Sequence, residues 1–481
     1  MSNDPAEFNS RTKATIFVVA FVAMFCTAYG WTISRGGETS DPPAPWNVDG
    51  VFYDNIAFNI NRGEGFIVDL QAQPWRNTYL QYGSKDNRID LNYDLNYGWM
   101  VPVKGTGPTA LRSPAYPYAL SAIYRVFGHR YWVARIFGCT FVSLGLALLL
   151  TFCAIRWGTL AAVIAAATLA VDFSVMQSAG TLATESLAIL IFAITFMLVV
   201  RAWEKPSASR WIVAGVSFAA LMLTRGIWSL GLLILIVLTT LCLVPAIRRR
   251  WESLRVTHLV AFLATAILLA MPWWIRNCQM TEHFTPFGTA GSCGFVGGYC
   301  DESLANYGQW QPDVYNRNQI EVQKNFDMDT VNLAHLEHAI GKSSIEKTTD
   351  WCQANWTQLP KLMLFRAISH WGMFNPSVPW IFQMANLWLV VVGLVGCILY
   401  TGKIRRVFIF VLLLDTLLVM LTWEHLGRYA IPIRPLVHIG YGILIANVIQ
   451  AIRGEALKID SRAPFADTKN GPAPRGAGPK N

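Results

Sequence analysis

RYWVARIFGCTFVSLGLALLLTFCAI, residues 130–155, carries only two charged groups, Arg130 and Arg135, both near its start, and then runs apolar. A helix needs about 20 such residues to cross the hydrocarbon core of a bilayer. Nothing in the run breaks a helix. It therefore reads as a membrane span, and runs of the same kind recur outward from it. They lie near 14–33, 158–177, 184–203, 209–224, 226–245, 257–275, 378–401, 405–422 and 430–452, which makes about ten spans of the required length. The pair at 209–224 and 226–245 is short and tightly joined. The sequence thus predicts an all-α polytopic membrane protein.

Composition agrees. Hydrophobic residues make up 53% of the 481, charged residues only 14%, and mean hydropathy is +0.35. A soluble domain carries roughly 25% charged residues, so this chain cannot cover itself with polar surface. The formal charge of +9 is concentrated at Arg11/Lys13, Arg201/Lys205/Arg210, Arg248–Arg250/Arg255, Lys403/Arg405/Arg406 and the tail after Arg453. With ten spans and a cytoplasmic N-terminus, all of these fall on the cytoplasmic side, the positive-inside pattern. The basic balance is then topogenic, and no nucleic-acid partner is needed to explain it. The first run follows Arg11 and Lys13 like a signal peptide, but no small-residue cleavage site succeeds it, and it reads as a retained span.

Residues 1–13 form a cytoplasmic N-terminus, 14–452 a membrane-embedded domain, and 453–481 a cytoplasmic tail. The tail is rich in Pro, Gly and charge, and its composition predicts disorder. Two polar segments, about 34–129 and 276–377, fall outside on this topology and are long enough to carry function. In the first, Tyr53–Ile60 keeps helical apolar spacing, and Pro114–Phe127 is apolar but too short to span comfortably. Helices of that kind lie along the membrane interface. Of nine cysteines, Cys278, Cys293, Cys300 and Cys352 fall in the second segment. An oxidising compartment permits disulfides there; at least one is expected, with Cys293–Cys300 the preferred pair.

Six short motifs sit at the outer ends of the spans. Asp49-Gly-Val-Phe-Tyr53-Asp54 places an acid after the first span. Such a carboxylate at a dry membrane mouth can take a proton from a hydroxyl, or can simply cap the helix that follows. Arg112 in Ala110–Pro117 can clamp a phosphate or anchor at head groups. Glu185 stands at a helix N-terminus, favourable in itself. Arg225, between two apolar spans, needs a partner or water. Arg276 follows Trp273 and Trp274 like an interface anchor. Trp423–Pro432 packs Glu424, His425, Arg428 and Tyr429 into one turn. The topology, drawn without reference to these residues, brings them all to one face. Carboxylates beside several arginines suit a reaction that involves a nucleophilic hydroxyl and a phosphate.

At these residues the chain resembles the GT-C superfamily of polytopic glycosyltransferases, in the branch similar to protein O-mannosyltransferases and the aminoarabinose transferase of lipid A. Asp49–Phe66, Ala110–Pro117, Gly180–Ser186, Leu223–Gly226, Pro272–Asn277 with Phe284–Gly291, and Arg428–Pro432 carry the likeness by their order and spacing. The resemblance implies a sugar moved from a polyprenyl-phosphate donor to a glycan, lipid or protein acceptor, with inversion, on the non-cytoplasmic side of a bacterial inner membrane. Asp49 matches the family's catalytic carboxylate, and Asp54, about one turn further on, is the alternative. Arg225, with Arg112, Arg276 and Arg428, would hold the donor phosphate, and Glu185 and Tyr429 would line the substrate site. Some relatives use a divalent metal, but no ligand spacing for one stands out, so no cofactor is expected. The stretch Asp69–Lys104 is longer and more polar than the family pattern. The rival reading is a transporter or flippase of a lipid-linked or anionic solute, which would place charges near the bilayer midplane; a third is an inactive assembly factor on the same fold.

The charge bias makes a direct prediction. A reporter inserted near Lys85 or Asn318 should register outside the cell membrane, and one fused after Arg453 inside. The opposite pattern would dismantle the shared face on which the motifs meet.

Overall fold

A computed structural model of the chain describes residues 10–34, 48–78, 107–241, 256–327, 330–374 and 378–454. Both termini, the region expected to be a disordered tail, and most of the polar stretch after Thr78 lie outside the described residues. Apolar helices stand wherever the hydropathy places spans: α1 (Ser10–Ser34), α4 (Tyr131–Trp157), α7 (Thr184–Glu204), α8 (Ala208–Thr224), α9 (Ile227–Leu241), α10 (Val256–Thr281), α16 (Trp380–Tyr400), α17 (Arg405–Leu421) and α18 (Arg434–Ile452). The tenth run divides into α5 (Thr159–Ala170) and α6 (Phe173–Gly180), bent by 66°. Six of the helices are long and apolar enough to cross a membrane alone, seven with the bent pair, while α8 and α9 are shorter apolar helices. The expected count of ten thus matches ten apolar segments, of which not all reach full spanning length.

The bend has a visible cause. Asp172 ends the run of α5 and caps α6, its Oδ1 accepting from Val175 N at 3.1 Å. Its other oxygen meets Arg434 Nη2 at 2.7 Å and His438 Nε2 at 2.8 Å. A carboxylate inside an apolar bundle is costly unless paired, and this one is paired within it.

Small residues set how closely the helices approach. Gly393 and Gly396 of α16 face Gly440 of α18, and a Cβ on Gly440 would lie 2.1 Å from Gly393 O. Backbones brought this near gain packing that lipid tails cannot supply.

The polar segments fold as well. In the first, α2 (Val48–Arg62) packs on α3 (Ala115–Phe127), and a two-residue ribbon pairs β1 (Ile67–Val68) antiparallel with β2 (Gly107–Pro108). The second forms α11 (Ala290–Gly298), α12 (Asp301–Ala305), α13 (Pro312–Gln323), α14 (Leu333–Ala354) and α15 (Leu359–His370). The expected disulfide is absent: Cys278, Cys293, Cys300 and Cys352 are all free. Cys293 and Cys300 have other partners instead. Cys293 Sγ donates to Glu337 O at 3.2 Å, while Cys300 caps α12, its sulfur accepting from Ser303 N at 3.4 Å.

Gly440→Ala should lower the midpoint of thermal unfolding in detergent, by the equivalent of about 1–3 kcal/mol for overpacking. Gly30→Ala, where a Cβ would meet nothing within 4 Å, should not. Equal stability of both variants would contradict the close contact.

Candidate active site

Asp49 occupies the first turn of α2 and points away from the helix, with about a fifth of its side chain exposed. Arg112 Nη1 reaches its Oδ1 at 2.6 Å, and Arg428 Nη1 reaches its Oδ2 at 2.6 Å. Burial pushes the Asp49 carboxyl up, but the two guanidinium groups outweigh it and hold the group well below the usual carboxylate range. Behind this pair lies Glu185, buried in the first turn of α7. It takes Arg428 Nε on Oε1 and meets Arg225 Nη1 at 3.3 Å, while its Oε2 is buried with no hydrogen-bond partner among the described residues. Arg225, the residue that ends α8, lies over the Tyr429 ring at 5.2 Å.

These side chains converge on a cavity of about 1160 Å³. Asp49, Arg112, Arg225, Arg428 and Tyr429 line it. Leu223, Ile227 and Leu230 give one apolar side, the Phe284–Gly291 segment another, and Trp310 and Trp423 a third. A cavity of this size exceeds what one sugar fills and suits a ligand with an apolar and an anionic part.

Local structure explains how Arg428 gets there. Glu424 Oε1 accepts from both His425 N and Gly427 N at 2.7 Å, closing a tight turn with Leu426 and Gly427 at φ 53° and 73°. Trp310 N donates to Glu424 O at 2.7 Å and Leu426 N to Gln309 Oε1 at 2.8 Å, which fastens the turn to the second polar segment. The other Glu424 oxygen meets His370 Nδ1 at 3.0 Å, and His370 Nε2 meets Asp415 at 2.8 Å. Burial pushes His370 down, yet the two carboxylates raise it to about 9.

Three expected residues are placed otherwise. Asp54 is wholly buried and does not line the cavity; it accepts from Trp75 Nε1 at 2.7 Å and Tyr124 OH at 2.5 Å and meets His129 Nε2 at 2.9 Å. Five positions on a helix turn the side chain by about 140°, so Asp54 faces away from Asp49 and ties α2 to α3. Arg276 also stands off the cavity. Its guanidinium donates to Thr109 O at 2.5 Å and Phe66 O at 3.1 Å, binding α10 to the first polar segment. Glu185 stands behind the cavity wall and reaches it only through its arginines.

The sequence alone did not reveal Glu337, Trp310 or Tyr315, and left His425 without a role. Glu337 is buried on α14. It accepts from Thr109 Oγ1 at 2.5 Å, Ala110 N at 2.9 Å and Thr289 Oγ1 at 3.1 Å, and so holds both the strand before Arg112 and the segment before α11. Burial pushes its carboxyl up to about 6 against those hydrogen bonds. An isolated Glu in a polar helix carries no sequence signal for such a contact. Among the described residues, no three His, Cys, Asp or Glu side chains form a metal cage.

Comparison with known proteins finds a family model that matches part of the chain. Residues 111–275 match the family described as dolichyl-phosphate-mannose-protein mannosyltransferase, a stretch that includes Arg112, Glu185 and Arg225 but not Asp49 or Arg428. No curated protein matches the chain. Among solved structures it is similar to ArnT from Cupriavidus metallidurans bound to undecaprenyl phosphate, at 14% identity over 91% of this chain and 79% of that one, TM-score 0.37. The same enzyme in its apo state gives 15% identity, the same coverage and TM-score 0.35. The Archaeoglobus fulgidus oligosaccharyltransferase, tethered to an acceptor peptide containing the NVT sequon, gives 13% identity over 92% of this chain and TM-score 0.45; this chain spans 50% of its length.

His370 makes a pH prediction. Its folded value of about 9 lies above its ordinary 6.5. The stability it contributes is therefore complete below the lower value and lost as pH rises through the higher one. Thermal midpoints of the wild type should fall across that window. His370→Gln leaves two buried carboxylates without their cation, so it should be less stable at pH 6.5 by about 3–5 kcal/mol and show a flatter profile. Identical profiles would rule out the charged imidazole.

Proposed function

We propose that this chain is a membrane glycosyltransferase of the GT-C type, a reading its family match over residues 111–275 supports, and that it moves a sugar from a polyprenyl-phosphate donor to an acceptor hydroxyl with inversion. The observation that carries the reading is the junction at Asp49: one carboxylate held between two arginines on the wall of a cavity that also exposes Arg225. The family described by a dolichyl-phosphate-linked donor supports the donor class. In this reading the site faces the periplasm or exterior of a bacterial inner membrane, and the positive-inside charge pattern supports that side.

The charge balance fits a phosphodiester. Three guanidinium groups, Arg112, Arg225 and Arg428, stand against two carboxylates, Asp49 and Glu185. One positive charge is left over, matching the single negative charge of a sugar-phosphate diester. When the bond from the anomeric carbon to phosphate breaks, both electrons go to the phosphate oxygen, and the arginines stabilise the new charge without a general acid or cofactor. The acceptor oxygen forms its bond to the anomeric carbon from the opposite side and gives its proton to Asp49.

Asp49 in its paired state is a weak base. A donor phosphate within reach of Arg112 and Arg428 competes for both, and burial, the largest influence on Asp49, then acts with less opposition. Its basicity rises as the donor arrives. Asp54, fully hydrogen-bonded away from the cavity, serves the architecture.

Transfer of labelled sugar from a polyprenyl-phosphate donor in membranes tests this. Asp49→Asn should lose at least ~10²-fold of the turnover of its folded fraction, and its unfolding temperature should fall because Arg112 and Arg428 lose the anion between them. Asp54→Asn should instead lower stability and leave the folded fraction active. Arg225→Ala should raise the donor KM and lower kcat, since a phosphate contact exists in the ground state and tightens in the transition state. Full transfer by Asp49→Asn would remove the mechanism.

A further inference from the structure

We propose that His425 is a second proton-handling residue of this site, receiving the acceptor proton from Asp49 and releasing it through the cavity. The inference rests on the transfer reaction proposed above. It begins from a problem in that cycle. Once the lipid phosphate leaves, Arg112 and Arg428 return to Asp49 and hold it ionised, so the proton it took must go elsewhere.

The other groups nearby do not serve. Glu185 is buried behind Arg225 and Arg428 and is paired with both. Tyr53 also lines the cavity, but burial and the charge of Asp49 push its hydroxyl up to about 12, so it stays protonated. His338 lies on α14 with its ring stacked on His283 at 3.8 Å. His425 remains. It lines the cavity two residues before Gly427 and three before Arg428, in the turn that Glu424 closes. Its backbone is fixed by the bond from His425 N to Glu424 Oε1, and its ring stands edge-on to Trp310 at 5.8 Å and 89°. Among the described residues neither ring nitrogen has a hydrogen-bond partner. An imidazole so firmly positioned, with both nitrogens free beside a cavity, is arranged for exchange with something that enters it.

The electrostatics suit the task. Burial first, and then the charge of Arg428, hold the His425 imidazole below its usual value; Glu424, Asp49 and Glu185 pull the other way. The ring is therefore neutral at neutral pH and able to accept a proton, and the three carboxylates temper the charge it then carries. In the balanced step, the acceptor O–H bond breaks to the Asp49 carboxylate as the new C–O bond forms. The Asp49 proton next passes to a nitrogen of His425, and from there to water in the cavity.

Steady-state transfer by the full chain in lipid vesicles, followed between roughly pH 5 and 8, tests this with His425→Gln and His425→Ala beside the wild type. Wild-type kcat should fall toward the acid side as the ring becomes protonated. His425→Gln should lose ~10–10²-fold of kcat and with it the acid-side fall, while donor affinity stays unchanged. Added imidazole should restore turnover to His425→Ala, which a purely structural histidine would not allow. Wild-type turnover and an intact acid limb in His425→Gln would overturn the proposal, as would a loss in His425→Ala that imidazole leaves untouched and that comes with weakened donor binding. A wild-type protein that transfers no sugar from a polyprenyl-phosphate donor would instead fail the parent reading, and this one with it.

Discussion

The Asp49 carboxylate between Arg112 and Arg428 is the constraint on which the functional end of the molecule depends. Its two partners belong to the start of α3 and the last apolar hairpin, and the second lies 379 residues away in sequence. Removing any one of the three would leave a poorly solvated charge, which costs far more than an exposed pair contributes. Glu185 extends the arrangement to Arg225, so five chain segments share one alternating row of charge. The row carries one more cation than anion. A site of this kind is stable when empty because its carboxylates occupy the arginines, yet it keeps a net attraction for an incoming anion.

Much of this was legible in the sequence, for a physical reason. Apolar runs and the charges of the short loops decide which residues reach which end of a bundle, so Asp49, Arg112, Arg225, Arg428 and Tyr429 could be assigned to one face before any contact was known. What hydropathy cannot supply is rotation about a helix axis or the choice of a backbone partner. Asp54 is the clearest instance: its neighbourhood in sequence put it beside Asp49, while the helical turn sends it to Trp75, Tyr124 and His129. Arg276 found carbonyl oxygens instead of the cavity for the same reason. The thiols of Cys293 and Cys300 were counted as a disulfide because spacing shows proximity and not direction; Cys293 is engaged with Glu337 on α14 and Cys300 within its own turn. Glu337 was invisible because its partners lie in another segment, 227 and 228 residues back.

Asp172 bears on the rival reading of a transporter. It is a buried acid at the break between two apolar helices. The structure gives it a cap to make and Arg434 and His438 to hold, with Arg434 Nη2 donating onward to Asn386 at 2.6 Å and His438 Nδ1 beside Thr168 Oγ1 at 2.9 Å. A substrate-carrying charge needs an accessible partner position; this one is enclosed by α5, α6, α16 and α18. Its position has a different consequence. Arg434 follows Arg428 by six residues and Asp172 precedes Glu185 by thirteen, so the same ion pair draws together the two stretches whose ends meet at the cavity.

The turn from Trp423 to Tyr429 concentrates these constraints. It exposes Trp423, His425, Arg428 and Tyr429 to the cavity from seven consecutive residues, which a regular helix or strand could not do from one side. Two left-handed residues make that possible, and Leu426, unlike Gly427, has no intrinsic liking for the conformation. The strain is offset by Glu424, whose single carboxylate ties two backbone N–H groups of the turn to His370 and, through it, to Asp415 on α17. That imidazole is charged because it lies between two acids, whereas His425, one residue along from Glu424, stays neutral because it is buried and lies beside Arg428. Two histidines around one glutamate thus take opposite charge states. The first fixes the shape of the turn, and the second is left free within it.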